Sequence, residues 1–345
     1  MCPGKASRLL RSLRLWLGIA ISLVFLYWLA SQVRDLAHVW GALQQAQYIY
    51  LLPALVAYFA GVWVRSVRWH FLLKPVRVVS SERLFPVVVI GYMANNILPA
   101  RIGELVRAYV LGEREGVSKS ATLATIVVER VCDGLVMLAF MLAVGLVVPF
   151  GTTLQQMVWA TAVLFVGLLV TIAVFAARPD WAERLVGLAL RPVPARHRLP
   201  FAKIAAAGLT GLAAMRSARG VATAFGLSIL AWLCEAGMYY LIAQGFFPDI
   251  GLHAMLLTVA VANVGAMIPS SPGYVGTFDA LAVFTLGLFG IDGDLALGYT
   301  AVLHTALLVP VTLLGFFFMW RENLTLSLLS RAPSRLTVPT QGPAD

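Results

Sequence analysis

Charge is what this 345-residue chain has least of: Asp, Glu, Lys and Arg make up 12% of it, about half the share of a soluble domain. That scarcity removes the two or three soluble domains that the length alone would suggest. Cysteine is scarce too. Cys2, Cys132 and Cys234 show no pairing pattern, which excludes a disulfide scaffold, and no CxxC or ligand-spaced Cys/His cluster indicates a metal. The five histidines are scattered, none four residues from another. No GxxxxGK[ST] run supplies an ATP-phosphate loop, and nothing calls for a cofactor. What is abundant is apolar: residues AVILMFWYC reach 60%, and several uninterrupted runs approach the ~20 residues that span a bilayer. The pattern predicts an all-α, polytopic membrane protein.

Residues 13–30 form the first expected span. Lys5, Arg8, Arg11 and Arg14 precede it as in a signal peptide, but no small-x-small cleavage site follows, so it reads as a retained helix. A short amphipathic stretch at 38–47 leads to a second span at 48–72. Further spans are expected at 121–148, 158–176, 221–243 and 295–320, six in all. Two more apolar stretches are broken. Residues 84–100 are interrupted by Asn95, Asn96 and Pro99, and 253–289 contain Pro269, Pro272, Gly273 and Gly276. Breaks of this kind release backbone donors and acceptors that lipid cannot satisfy. They are expected to be re-entrant hairpins or discontinuous helices lining a cavity. The organisation is then a basic N-terminus (1–12), one membrane domain (13–320) with a cytoplasmic amphipathic loop (177–220), and a Pro/Ser/Thr-rich disordered tail (321–345).

In that topology 25 of the 26 basic residues fall on or near one side, Arg34 being the exception, whereas Asp35, Asp249, Asp292 and Asp294 fall on the other. The positive-inside rule places both termini in the cytoplasm. The net charge of +10 is thus an orientation signal and an attraction to anionic lipid rather than a nucleic-acid footprint.

The two breaks enter from opposite faces, each with asparagine on its approach (Asn95 and Asn96; Asn263). Such a pair points to a midplane site in a transporter and raises an inverted pseudo-symmetry. After the first break, Arg101, Glu104 and Arg107 recur at i, i+3 and i+6 and suit a phosphate; a merely salt-bridged interfacial helix is the plain alternative. Glu129 and Asp133, beside Arg130, stack at i and i+4 inside a span, so they should face the bundle interior and pair with arginines. Arg65 and Arg68 are natural partners. Glu235 sits mid-span with no basic residue near it in sequence; it either takes up a proton or pairs with a distant arginine. Gly273, Tyr274, Gly276 and Asp279 form the second element, Asp279 accepting from amides freed by the break.

The run from Asn95 through Pro99, Arg101, Glu104 and Arg107, with Glu129, Arg130 and Asp133, resembles the membrane region of lysylphosphatidylglycerol synthases, which defines a broad flippase-like family. Arg65-x-x-Arg68-Trp69 and Pro272-Gly273-Tyr274-x-Gly276-x-Phe278-Asp279 resemble it too, and the likeness covers roughly residues 12–320. It implies handling of a membrane lipid, with Arg101, Glu104, Arg107, Glu129, Arg130 and Asp133 as polar core and Pro272, Gly273, Gly276 and Asp279 as a second element. The synthases carry a soluble transferase domain after the membrane part; about 25 residues follow Trp320 here, so lysine transfer from tRNA is not expected of this chain. The expected activity is translocation of an anionic or polyprenyl-phosphate-type lipid across a bacterial inner membrane, not an enzymatic reaction. The alternatives are a non-catalytic subunit or scaffold in envelope lipid assembly and an intramembrane enzyme acting on a lipid phosphate. A homo-oligomer or an envelope-biosynthesis partner is compatible with each.

Overall fold

The computed structural model describes residues 19–31, 35–98, 102–189, 202, 206–267 and 271–324. Its elements, in chain order, are α1 (Ile19–Ser31), α2 (Leu36–Gln45), α3 (Leu51–Leu73, entered through a 3₁₀ turn at Tyr48–Tyr50), α4 (Ser81–Ile97), α5 (Gly103–Glu115), α6 (Lys119–Gly145), α7 (Thr152–Ala177), α8 (Pro179–Ala189), α9 (Ala218–Gln244), α10 (Leu252–Gly265), α11 (Thr277–Gly287) and α12 (Gly293–Arg321). The chain is an all-α, multi-pass membrane protein.

Four of these segments are long and apolar enough to cross a bilayer: Tyr48–Leu73, α7, α9 and α12. The pair α1/α2, bent by 88°, makes a fifth if it counts as one span. Helix α6 is as long, at 27 residues, but carries Glu129, Arg130 and Asp133 in its middle. Hydropathy penalises those charges; packing rescues them. Outward residues such as Trp159, Val163 and Val170 are exposed, which suits a face turned to lipid, where apolar exposure costs nothing.

The core joins α3 to α9, α4 to α12 and α6 to α10. Helices α4 and α5 form an antiparallel hairpin: Arg83 at the start of one lies 3.6 Å from Glu115 at the end of the other. Arg114, 3.2 Å from Glu322, fixes the open end of this hairpin beside the C-terminal end of α12. Helices α10 and α11 form the other, their outer ends joined by His253 and Phe289, ring centroids 5.4 Å apart. Since α11 runs directly into the first turn of α12, the two hairpins approach from opposite ends of that helix.

The first break differs from the sequence expectation. Helix α4 continues through Asn95 and Asn96 to Ile97, so the asparagines are its last turn rather than its interruption. Their side chains explain this. Asn95 Oδ1 accepts from Gly103 N at 2.7 Å, and Asn96 Nδ2 donates to Thr312 Oγ1 at 2.9 Å. An amide at a helix C-terminus can satisfy the next element's free N–H without ending its own helix. Helix α8 presents Trp181, Leu185 and Leu188 as an exposed stripe, the amphipathic pattern expected of the loop. Further along that loop 206–211 is helical; residues 190–201 and 203–205, like 1–18, Pro99, Arg101, Pro269 and the tail beyond 324, lie outside the described residues.

Candidate functional site

Helical spacing gathers the charges. Arg65, Arg68 and Trp69 share one face of α3. Glu129 and Asp133 share one face of α6. Ser228, Trp232 and Glu235 recur at i, i+4 and i+7 on α9. Where these faces meet, Asp133 is the hub. Its Oδ1 accepts from Arg68 Nη1 at 2.5 Å and from Trp232 Nε1 at 2.9 Å, and its Oδ2 lies 3.0 Å from Arg130 Nη2. Arg107 on α5 donates to Glu129 Oε2 at 2.8 Å; Arg68 stands 3.7 Å from the other oxygen of Glu129. Arg65 donates to Glu235 Oε2 at 2.8 Å. Two guanidiniums lie over indoles, Arg65 on Trp232 at 4.4 Å and Arg107 on Trp69 at 4.0 Å. Such stacking favours arginine over lysine.

Four guanidiniums thus meet three carboxylates. Glu104, 3.5 Å from Asn95 Nδ2, adds a fourth carboxylate at the edge. Matching charges is what makes the array tolerable, because an unpaired ion at hydrocarbon depth costs about 3 kcal/mol or more. The members are not equivalent. The side chains of Arg68 and Arg107 are 1% and 4% exposed, that of Arg130 34%. Arg130 can therefore turn a guanidinium edge to a ligand while the others hold the scaffold.

It faces a cavity of about 130 Å³ between the two hairpins. Arg65, Arg130 and Glu235 supply charge to its wall; Asn95, Asn96, Asn263, Tyr58, Tyr92, Tyr274 and His304 supply further polar groups; Trp232, Phe278, Leu307 and Leu308 supply apolar surface. The second break closes one side. Gly273, Tyr274 and Gly276 all have positive φ (70°, 62° and 91°), a conformation in which glycine meets no penalty. Asp279 caps the next helix by accepting from Gly276 N at 2.9 Å, half of a capping box. Its other oxygen meets His304 Nδ1 at 2.6 Å, while His304 Nε2 meets Gly273 O at 2.8 Å. Ser22 of α1 accepts from Ser271 N at 2.8 Å. A β-carbon built on Gly273 would lie 3.6 Å from Asn96 O, so the ends of the two hairpins touch.

Of the residues singled out in the sequence, Arg65, Asn95, Asn96, Arg130, Glu235, Asn263 and Tyr274 line this cavity. Arg68, Arg107, Glu129 and Asp133 form the layer behind it. Gly273, Gly276 and Asp279 shape the second break, and Glu104 stands at the first. Glu235 is paired, of the two alternatives, and with an arginine 170 residues away. Arg65 thus gives its hydrogen bond to Glu235 rather than to Glu129 or Asp133, and Arg68 bridges those two. Sequence reasoning missed His304, Tyr58, Tyr92 and Trp232. His304 was legible in principle, because an imidazole in the middle of a 29-residue apolar helix needs a buried partner. Among the described residues no group of three or more His, Cys, Asp or Glu could hold a metal ion.

Comparison with known proteins agrees with this architecture. The family model described as the lysylphosphatidylglycerol synthase TM region matches residues 15–315. A UPF0104 membrane protein of Methanothermobacter thermautotrophicus is 26% identical over 277 residues, covering 76% of this chain and 82% of the relative. One from Pyrococcus horikoshii is 24% identical over 317 residues, covering 87% and 93%. The glycosyltransferase AglD of Haloferax volcanii is 27% identical over 299 residues, which is 76% of this chain but 48% of that protein. No solved structure matches.

Proposed function

This chain belongs to the lysylphosphatidylglycerol synthase transmembrane-region family, and from that premise we propose that it translocates an anionic membrane lipid or lipid-linked phosphate between leaflets. The headgroup occupies the cavity between the hairpins. One observation carries the reading: in a chain that is 12% charged, two guanidiniums, one of them a third exposed, line a cavity walled by three asparagine side chains and the ends of two helical hairpins. Arginine presents several donors in one plane, which suits phosphate oxygens. Hairpin ends supply backbone groups that hydrocarbon cannot satisfy and a polar headgroup can.

In this reading α6 and the segment containing α1 complete six crossings, and the hairpins α4/α5 and α10/α11 are re-entrant, from the cytoplasm and from outside respectively, as an inverted pair. The bias of basic residues puts both termini in the cytoplasm. The relatives named above are archaeal; the choice of a bacterial cytoplasmic membrane rests on the resemblance to the synthases. Accessibility of single cysteines at positions 83 and 253 to an impermeant reagent tests the topology, with 83 reactive from the cytoplasm and 253 from outside.

Mass spectrometry of lipid retained by the purified protein tests the headgroup site. An anionic lipid should be enriched over the surrounding membrane, and Arg130→Gln should lose most of it while the protein stays folded. Retention equal to wild type in that variant, or no enrichment at all, sinks the headgroup reading.

A further inference from the structure

We propose that His304 and Asp279 form a proton-binding site that holds the second hairpin closed over the cavity, so that passage of the headgroup is coupled to release and uptake of one proton. The coupling rests on the translocation reading; the proton site does not.

The hydrogens at three contacts require that proton. Gly273 O is a carbonyl and can only accept, so His304 Nε2, 2.8 Å away, carries a hydrogen. Asp279 Oδ2 accepts from Gly276 N. That leaves the contact of 2.6 Å between His304 Nδ1 and Asp279 Oδ1. A neutral imidazole protonated at Nε2 and an ionised carboxylate would face each other there with two lone pairs. The contact therefore holds one further proton, on either atom. If that proton leaves, a change of tautomer cannot repair the loss. It satisfies Oδ1 but turns the lone pair of Nε2 towards Gly273 O. One of the two contacts becomes repulsive whichever way the ring is protonated, and both side chains are buried, where such a defect is costly.

The segment that would give way is the one between the contacts. It runs from Gly273 to Gly276 with three residues at positive φ, one of them Tyr274, and non-glycine residues hold that conformation only when their surroundings enforce it. Gly273 is also the point at which this hairpin reaches Asn96 of the other. Losing the His304 tie therefore separates the hairpins at the cavity.

Titratable and charged groups face His304 from several of the helices packed around it. From α3 come Tyr58 and Arg65, from α4 Tyr92, from α6 Arg130 and from α9 Glu235, all lining the same cavity. Glu235 is engaged by Arg65, and Arg130 by Asp133. From α11 come Asp279 and the ring of Phe278, 4.7 Å from the imidazole; behind it stands Tyr239. On α2, His38 faces Asp294 near the other end of α12. The cavity gives the imidazole a polar route for exchange of its proton.

The test uses the full chain in phosphatidylglycerol-containing liposomes. Thr277 is fully buried and Val275 is 40% exposed, so maleimide labelling of Thr277→Cys, divided by that of Val275→Cys in a background without the native cysteines, reports opening free of thiol ionisation. The ratio should rise with pH, with a slope approaching about tenfold per unit for one linked proton, and then level off. Nitrogen-15 spectra of the imidazole, assigned with His304→Gln, should show the extra proton lost over the same range. Asp279→Asn is the decisive variant. Its amide can accept from Gly276 N and donate to Nδ1 of a neutral imidazole, keeping every hydrogen bond with nothing to titrate, so its ratio should stay low and flat. A flat ratio in wild type, or an Asp279→Asn protein that still opens with pH, overturns the proton site. Fluorescent phosphatidylglycerol, followed under an imposed pH gradient, separates the rest. Opening with pH but no flipping overturns the translocation reading alone, and flipping indifferent to both the gradient and Asp279→Asn overturns the coupling alone.

Discussion

The two hairpins solve one problem, an interrupted helix among apolar surroundings, with different chemistry. The α4/α5 hairpin is held by ions. Arg107 reaches Glu129 and, through Arg68, the hub at Asp133, and the helices approach so closely that a β-carbon on Gly103 would strike Gly91 O and the Asn95 side chain. The α10/α11 hairpin is held at its break by single hydrogen bonds: Ser22 and Asp279 accept from Ser271 N and Gly276 N, and His304, paired with Asp279, reaches Gly273 O. Ion pairs in a low-dielectric interior couple strongly and resist separation. Single hydrogen bonds in membrane proteins average only about 0.6 kcal/mol. The first hairpin is therefore the fixed wall of the cavity and the second the wall that moves.

The largest test of this contrast is Asp133→Ala. It strips Arg68, Arg130 and Trp232 of their shared acceptor and should destabilise the protein by about 3–5 kcal/mol, the usual cost of orphaning a buried ion. Unfolding in detergent, followed by intrinsic tryptophan fluorescence, measures it. A loss under about 1 kcal/mol would mean that the array is solvated and not rigid.

Next come two glycines, one from each hairpin. Gly103→Ala forces a methyl group into backbone and should cost about 1–3 kcal/mol as overpacking. At Gly273 the new methyl would meet the end of Leu308 at 3.3 Å, which a side chain can yield, leaving the left-handed φ as a cost of about 1–2 kcal/mol. The ordering should appear in the same unfolding curves. An equal or reversed pair would erase the difference in tightness between the walls.

The amide that closes the first break comes third. Asn95→Ala removes the acceptor of Gly103 N, as loss of a helix cap does, at about 1 kcal/mol. Hydrogen exchange should speed up at the start of α5 and leave 271–276 unchanged. Exchange that speeds up in both places would show the hairpins to be one cooperative unit.

The sequence exposed the first hairpin far better than the second. Charged residues are rare enough in this chain that Arg65, Arg68, Arg107, Glu129, Arg130 and Asp133 could be picked out one by one, and helical periodicity said which of them share a face. Partners were not legible, because helix packing rather than spacing brings Glu235 on α9 to Arg65 on α3. The second hairpin showed its glycines and prolines, and Asp279 as acceptor of an amide freed by the break, but not the partners that reach it from other helices. Its ties come from Ser22, far upstream, and from His304, which looked isolated because its carboxylate lies 25 residues before it on another helix. Nor does a pattern of letters tell a helix that ends at asparagine from one whose asparagines finish the last turn and reach across to the next element. Asn95 and Asn96 do the second.

The smallest expected effect probes the weakest tie. Ser22 is buried, and its hydroxyl accepts from Ser271 N at 2.8 Å, the one hydrogen bond among the described residues from α1 to the second break. Ser22→Ala deletes an oxygen and leaves the helix intact, so the loss should be near the membrane average of about 0.6 kcal/mol. That is too little for an unfolding curve, but it amounts to a roughly threefold change in a local opening equilibrium. Exchange of the Ser271 amide should rise by that factor, with a smaller rise at Gly276, whose hydrogen bond to Asp279 is untouched. The Gly103 amide, held by Asn95 in the fixed wall, should not change. If the Gly103 amide responded as strongly as the Ser271 amide, loosening one hairpin would loosen the other, and the cavity would have no rigid side against which a moving one could work.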